Sequence, residues 1–215
     1  MFGARINALR ERAISLVYFR HREHVWFKHA INHVEQAMAE SAVEVRVARP
    51  PSICFVDLTG YTRLTEERGD EFAADTAGRL AALVKDISRR HGGRAIRWLG
   101  DGGMFHFREA SAAVAAGLDM VAASPEVGLP PAHLGIHTGP VIAQDGDVYG
   151  RTVNVASRIA SFAEGGQVVV SEETADAARA GEHVDPAIRF EALGSFPLKG
   201  LLQDVPLFQV FRDAG

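Results

Sequence analysis

Apolar residues are spaced differently on the two sides of residue 50. From about residue 4 to residue 40, Ile6, Ala13, Val17, Phe27, Ile31, Val34 and Met38 recur at helical spacing with no Pro or Gly among them, which predicts one long helix. Arg10, Arg20 and His24 interrupt that stripe, so its packing seam is the second half, Phe27 to Met38. Beyond Arg49-Pro50-Pro51, strand and helix patterns alternate. Ile53 to Asp57 is a short apolar run, and Glu71 to Ile87 places Phe72, Thr76, Leu80, Leu83, Val84 and Ile87 on one helical face. Arg94 to Phe107 reads as two strands broken by Gly-Asp-Gly-Gly. A helix over Ser111 to Ala122, a strand over Ala132 to His137, a loop, a helix over Thr152 to Phe162 and a strand over Gln167 to Ser171 follow, then a short helix and strands near Ile188 to Leu193 and Val205 to Phe211. Strand, helices, hairpin, helix, strand is the order of an α+β, ferredoxin-like split βαβ sheet with its helices on one face, preceded here by the long N-terminal helix.

Charge supports the same division. Residues 1–50 carry eight basic and five acidic side chains and residues 51–215 carry fifteen and twenty-two, so the balance changes sign at the proline pair. We therefore expect an N-terminal helical coupling or dimerisation segment, 1–50, and one larger domain, 51–215. The net charge of −4 disfavours a general nucleic-acid binder. A single cysteine, Cys54, cannot form an internal disulfide, and a reducing cytoplasm is the expected location. The longest uncharged run, Val127 to Gln144, contains three prolines and three glycines, so no membrane span is expected.

The topology brings chemistry to one edge. In a split βαβ unit the first two strands run parallel with the third inserted antiparallel between them, so the exit of the first strand and the tip of the hairpin lie together. Asp57 ends the first strand and Asp101 sits in the hairpin turn. Two carboxylates among glycines suit Mg²⁺, which takes few protein ligands and completes its octahedron with phosphate oxygens. The same two residues would also serve as turn and cap residues. Asn154 and Arg158 are four apart on one helical face, and Asp147 precedes that helix in a glycine-containing loop. A fixed guanidinium neutralises charge on a phosphoryl group, and an amide orients a sugar.

Four segments, Phe55-Val-Asp-Leu-Thr-Gly-Tyr-Thr62, Arg97-Trp-Leu-Gly-Asp101, Gly135-Ile-His-Thr-Gly-Pro-Val141 and Tyr149-Gly-Arg-Thr-Val-Asn-Val-Ala-Ser-Arg158, resemble in order the motifs of class III nucleotidyl cyclases, the adenylyl and guanylyl cyclases. The resemblance covers about residues 51–211. It implies that Asp57 and Asp101 hold two Mg²⁺ or Mn²⁺ ions with the backbone carbonyl of Leu58, that Asn154 positions the ribose, that Arg158 stabilises the transition state at the α-phosphate, and that Lys199 binds the triphosphate. It also implies a homodimer with shared active sites, the carboxylates coming from one subunit and the base-reading pair, Asn154 and Arg158 from the other. The base-reading pair falls at Arg97 and Asp147, where adenylyl members carry Lys and Asp and guanylyl members a carboxylate at the first position. ATP is the expected substrate and cyclic AMP with pyrophosphate the products. A guanylyl cyclase and a weak or inactive nucleotide-binding regulator are the alternatives, because the forked guanidinium of Arg97 can pair with Asp147 itself. The loop from Gly139 to Tyr149 is short for the family's dimerisation arm.

Two further signals are set aside. Arg68-Gly-Asp-Glu-Phe72 has the letters of a diguanylate cyclase motif but opens a helix, with Gly69 or Asp70 as its cap. His21, His24, His29 and His33 lie on the N-terminal helix without further metal ligands and suit a polar face or a pH-dependent contact. That helix is expected to link the domain to an upstream regulatory domain or protein.

Overall fold

The computed structural model describes residues 49–99, 102–144, 147–181 and 185–213. The segment expected to form the long N-terminal helix, with its four histidines, and Asp101 lie outside them.

The expected sheet forms, extended at one side. Strands β1 (Ser52–Leu58), β2 (Arg94–Leu99), β3 (Gly102–Phe107), β4 (Ala132–Thr138), β7 (Val168–Ser171), β8 (Ile188–Phe196) and β9 (Val205–Arg212) make one seven-stranded sheet in the order β2-β3-β1-β4-β7-β9-β8. β3 runs antiparallel to β1 and to β2, and β4 antiparallel to β1, so the first four strands are the split βαβ arrangement in the order 2-3-1-4. β7 joins β4 in parallel through a helical crossover. A separate two-stranded ribbon, β5 (Ile142–Gln144) with β6 (Asp147–Tyr149), occupies what the sequence pattern marks as loop.

The helices are α1 (Tyr61–Arg68), α2 (Asp70–Arg90), α3 (Ala110–Glu126), α4 (Arg151–Phe162) and α5 (Glu172–Arg179). Strand alternation sorts the core. Cys54, Val56, Phe105 and Phe107 point to one face, where they pack with Leu80, Val84 and Ile87 of α2 and Ala113, Val114 and Met120 of α3. Ile53 and Met104 point to the other, where they pack with Ala156 of α4. The expectation of helices on one face is therefore corrected. The inward stripe of α4, Thr152, Val155, Ala156, Ile159 and Ala160, covers the opposite face. Periodicity reveals a helix's apolar stripe but not the side of the sheet it covers.

Glycine determines how near α4 comes. A Cβ on Gly135 would lie 2.0 Å from the backbone nitrogen of Ala160 and 2.6 Å from its Cα. Only a residue without a side chain lets helix backbone and β4 backbone touch at this point. Gly69, at φ 84, separates α1 from α2 and ends the first helix by donating its N–H to the carbonyl of Thr65, so the Gly-Asp-Glu-Phe segment opens a helix as expected.

Replacing Gly135 by Ala is expected to destabilise the domain by about 2 kcal/mol, because rigid backbone must move. For a domain of this size that corresponds to a melting temperature lower by roughly 4–8 °C. Thermal unfolding followed by circular dichroism measures it, and an unchanged midpoint would show that α4 yields freely.

Candidate active site

Asp57 stands where the topology argument places it, at the end of β1 and one step beyond the paired residues Val56 and Gly103. Its carboxylate is half-buried and its Oδ1 accepts the Leu58 N–H at 2.9 Å. A Cβ on Gly102 would lie 2.8 Å from the Val56 carbonyl oxygen and 3.7 Å from Asp57 Oδ1. The glycine thus keeps clear the space beside the carboxylate at the start of β3. Among the described residues no group of three or more His, Cys, Asp or Glu could hold a metal by itself. A hard carboxylate with cleared space beside it suits an ion that draws its remaining ligands from phosphate and water.

The base-reading candidates meet within one chain. A bulge between Ala95 and Arg97 shifts the β2 register, so that Arg97 pairs with Met104 and shares the sheet face covered by α4. From there its guanidinium bonds Asp147 Oδ2 on the β5–β6 ribbon. Asp147 Oδ1 accepts the Val148 N–H at 2.9 Å, and the Tyr149 hydroxyl donates to Oδ2 at 3.2 Å. Tyr149 stands in the sequence reading as the first residue of a motif but without a role. The signal was present: residues two apart on a strand face the same way, so Tyr149 had to flank Asp147 once β6 was recognised.

Asn154 and Arg158 lie on the outward side of α4, away from its buried stripe; Asn154 is exposed and Arg158 half-buried. Lys199 sits at the tip of a four-residue turn closed by the Leu201 N–H on the Leu198 carbonyl at 3.0 Å, with Gly200 at φ 85 supplying the left-handed position. Leu198 is buried in the same apolar cluster as Val155 and Ile159 of α4, which anchors the Lys199 turn to the helix that carries Asn154 and Arg158. The structure thus unites Arg97 with Asp147 and ties the Lys199 turn to α4.

A buried polar chain supports this end of the molecule. Ser52 Oγ lies 2.7 Å from Thr138 Oγ1, Thr138 Oγ1 donates to Thr174 Oγ1 at 3.0 Å, and His137 Nδ1 lies 2.7 Å from Ser171 Oγ. Thr152, in the first turn of α4, donates to the Pro140 carbonyl at 2.5 Å. His137 faces Glu173 of α5, 3.7 Å from Nδ1, and Arg151 of α4. Burial pushes its pKa down to about 4; the Glu173 carboxylate opposes that shift and Arg151 reinforces it.

The fold and these positions define a class of protein. Residues 43–210 match the adenylate and guanylate cyclase catalytic domain, and the chain belongs to the class III nucleotidyl cyclase family. Among its relatives, a pH-sensitive adenylate cyclase of Mycobacterium tuberculosis is 29% identical over 91% of this chain and 48% of its own length. Two Streptomyces adenylate cyclases are matched over 40% and 37% of their lengths, so the chain spans less than half of these curated relatives. Among solved structures, the adenylyl cyclase CyaB from P. aeruginosa superposes with a TM-score of 0.66 at 25% identity, covering 77% of this chain and 95% of that one. The guanylyl cyclase Cya2 superposes with a TM-score of 0.61 at 29% identity, covering 75% and 91%. The described helices include none long and apolar enough to cross a membrane.

His137 makes stability pH-dependent in a defined sense. Its folded pKa of about 4 lies below the unfolded value near 6.5, so the unfolded chain binds the extra proton between those limits. Stability is complete above about pH 6.5, falls as the pH drops toward 4 and is level below. At pH 5 this group alone costs about 2 kcal/mol relative to pH 8. Urea unfolding of the protein and of His137→Gln at both pH values measures it; an equal loss in the variant would assign the acid sensitivity elsewhere.

Proposed function

We propose that the chain is an adenylyl cyclase that converts ATP to 3′,5′-cyclic AMP and pyrophosphate, acting as a homodimer with sites shared between subunits. The observation that carries the reading is the position of Asp57 beside Gly102 at the start of β3, on a chain that belongs to the family. The relatives named adenylate cyclase support ATP as a substrate.

Asp57 and Asp101, with the Leu58 carbonyl, would hold Mg²⁺ or Mn²⁺, which when bound supplies Lewis-acid stabilisation to attacking and leaving oxygens. The chain's own residues do the remaining work. Arg97 and Asp147 read the base, and Asn154 orients the ribose so that its 3′-oxygen lies in line with the α-phosphorus. That oxygen bonds to phosphorus as the bond to the pyrophosphate oxygen breaks, and the hydroxyl proton passes to water. Arg158 offsets the charge that grows on the α-phosphoryl oxygens, and Lys199 holds the outer phosphates. Because Asn154 and Arg158 project outward from α4, they are suited to serve carboxylates of a second subunit. On this reading residues 1–50 form a coupling segment to an upstream regulator, and 51–215 the catalytic domain.

Purified protein with ATP and Mn²⁺ is expected to yield cyclic AMP and pyrophosphate, and nucleotide binding without product would instead favour a regulatory role. Asp57→Ala and Arg158→Ala should each lower turnover at least a hundredfold, the loss of about 3 kcal/mol of transition-state stabilisation. Mixed in equal amounts they should regain part of it, because one of the two heterodimer sites keeps both groups intact. Heterodimers that form without regaining activity would refute shared sites.

A further inference from the structure

Asp147 is already engaged within its own chain. Its Oδ2 receives both the Arg97 guanidinium and the Tyr149 hydroxyl, and its Oδ1 receives the Val148 N–H. An ionised carboxylate offers about four lone-pair positions. Three are filled by protein donors, and Oδ2 has none left. The guanidinium also lies over the Tyr149 ring, 5.8 Å from its centroid, so the tyrosine holds the fork from its face and fixes the carboxylate from its hydroxyl. Arg97 and Asp147 remain 35% and 23% exposed, which leaves the group within reach of a bound base.

The two purines differ in polarity along the edge such a pair would read. Adenine presents an amino donor beside a ring-nitrogen acceptor; guanine presents a carbonyl acceptor beside an N–H donor. A carboxylate with open lone pairs next to a cation matches adenine, accepting from its amino group and repelling guanine's carbonyl oxygen. A carboxylate committed to Arg97 and Tyr149 does neither with full strength. The remaining N–H groups of Arg97 then donate to adenine's ring nitrogen or to guanine's carbonyl oxygen alike.

We infer that Tyr149 is a third member of the base-reading group, and that by occupying Asp147 together with Arg97 it leaves a donor-dominated pocket that takes ATP and GTP with little preference. This rests on the base-reading role proposed above for Arg97 and Asp147. Tyr149 acts through Asp147 as a positioning residue, so its signature is a change in the ratio between two substrates rather than in either rate alone.

The full-length protein, assayed with Mn²⁺ and each nucleotide in turn, reports kcat/KM for the cyclic product. Displacement of a fluorescent ribose-labelled nucleoside triphosphate by ATP or GTP reports the same preference without turnover. ATP and GTP are expected to lie within about tenfold of each other, the span that one net hydrogen bond supplies. Tyr149→Phe keeps the ring and frees one lone pair on Asp147, and is expected to raise the ATP-to-GTP ratio by about three- to tenfold. Arg97→Lys, which lacks the second arm of the fork, should shift the ratio the same way and serves if the phenylalanine variant folds poorly. A preference for either nucleotide beyond about tenfold in the unaltered protein overturns the inference, as does a ratio that neither substitution moves. Strong selection of ATP with cyclic AMP formation would refute this inference and leave the cyclase reading standing. Failure to bind either nucleotide would remove both.

Discussion

The contact between α4 and the sheet at Gly135 is the constraint from which the rest of the candidate site follows. Backbone meets backbone there, with no side chain to cushion the approach, so the helix axis has little freedom in height or tilt. Three candidate site positions inherit that rigidity. Asn154 and Arg158 ride on the outward side of the helix, and the Lys199 turn is attached to its inner side through Leu198. At its start, Thr152 bonds the carbonyl of Pro140, which ties the helix to the segment leading into the β5–β6 ribbon and Asp147. Groups far apart in sequence are therefore set by one close approach instead of by independent loops, as a site with ångström tolerances requires.

A second constraint acts from the opposite edge. The split βαβ register puts the end of β1 beside the start of β3, and this pairing is fixed by alternation: a one-residue slip of β1 would turn Cys54 and Val56 out of the α2–α3 core and bring the Asp57 carboxylate toward it in their place. The location of the carboxylate is thus a by-product of core formation. The apolar faces that stabilise the sheet also carry the polar ends of its strands to a common edge, where Gly102 leaves space beside the Asp57 carboxylate.

Much of this was legible in the sequence, for a physical reason in each case. Strands β1, β3 and β4 and helices α2 and α3 bury strong periodic patterns, and the edge position of Asp57 follows from topology alone. Helix α1 was not legible because it buries no residue, so it has no stripe to detect. The β5–β6 ribbon was missed because three-residue strands are too short to show alternation. Strand β8 runs on to Phe196, past a register shift between Ala192 and Gly194 that disrupts the pattern where the sequence reading stopped it. The placement of α4 on the second face was unreadable, since an amphipathic stripe is the same for either side. The pairing of Arg97 with Asp147 was open from chemistry, but the bulge that aims Arg97 is a local backbone event with no residue signature.

The Arg97–Asp147 pair also bears on why the proposed catalytic groups are divided between two subunits. Where this chain brings a guanidinium and a carboxylate into reach of one another, they close on each other and are partly spent before any ligand arrives. For the proposed base recognition that outcome would change selectivity; for the proposed phosphoryl centre it would be fatal, because an Arg158 neutralised by Asp57 could neither balance the charge on the α-phosphate nor leave the carboxylate for a metal. Carrying Asp57 at a strand end and Arg158 on the outward side of a helix held by Gly135 gives them separate anchors. On the proposed reading they meet only across a dimer interface, with a triphosphate between them, so the polyanion and its cations keep opposite charges from collapsing into a pair. The rigidity at Gly135 and the separation of charges are then one design requirement, since a helix free to tilt would let the arginine find a carboxylate of its own chain.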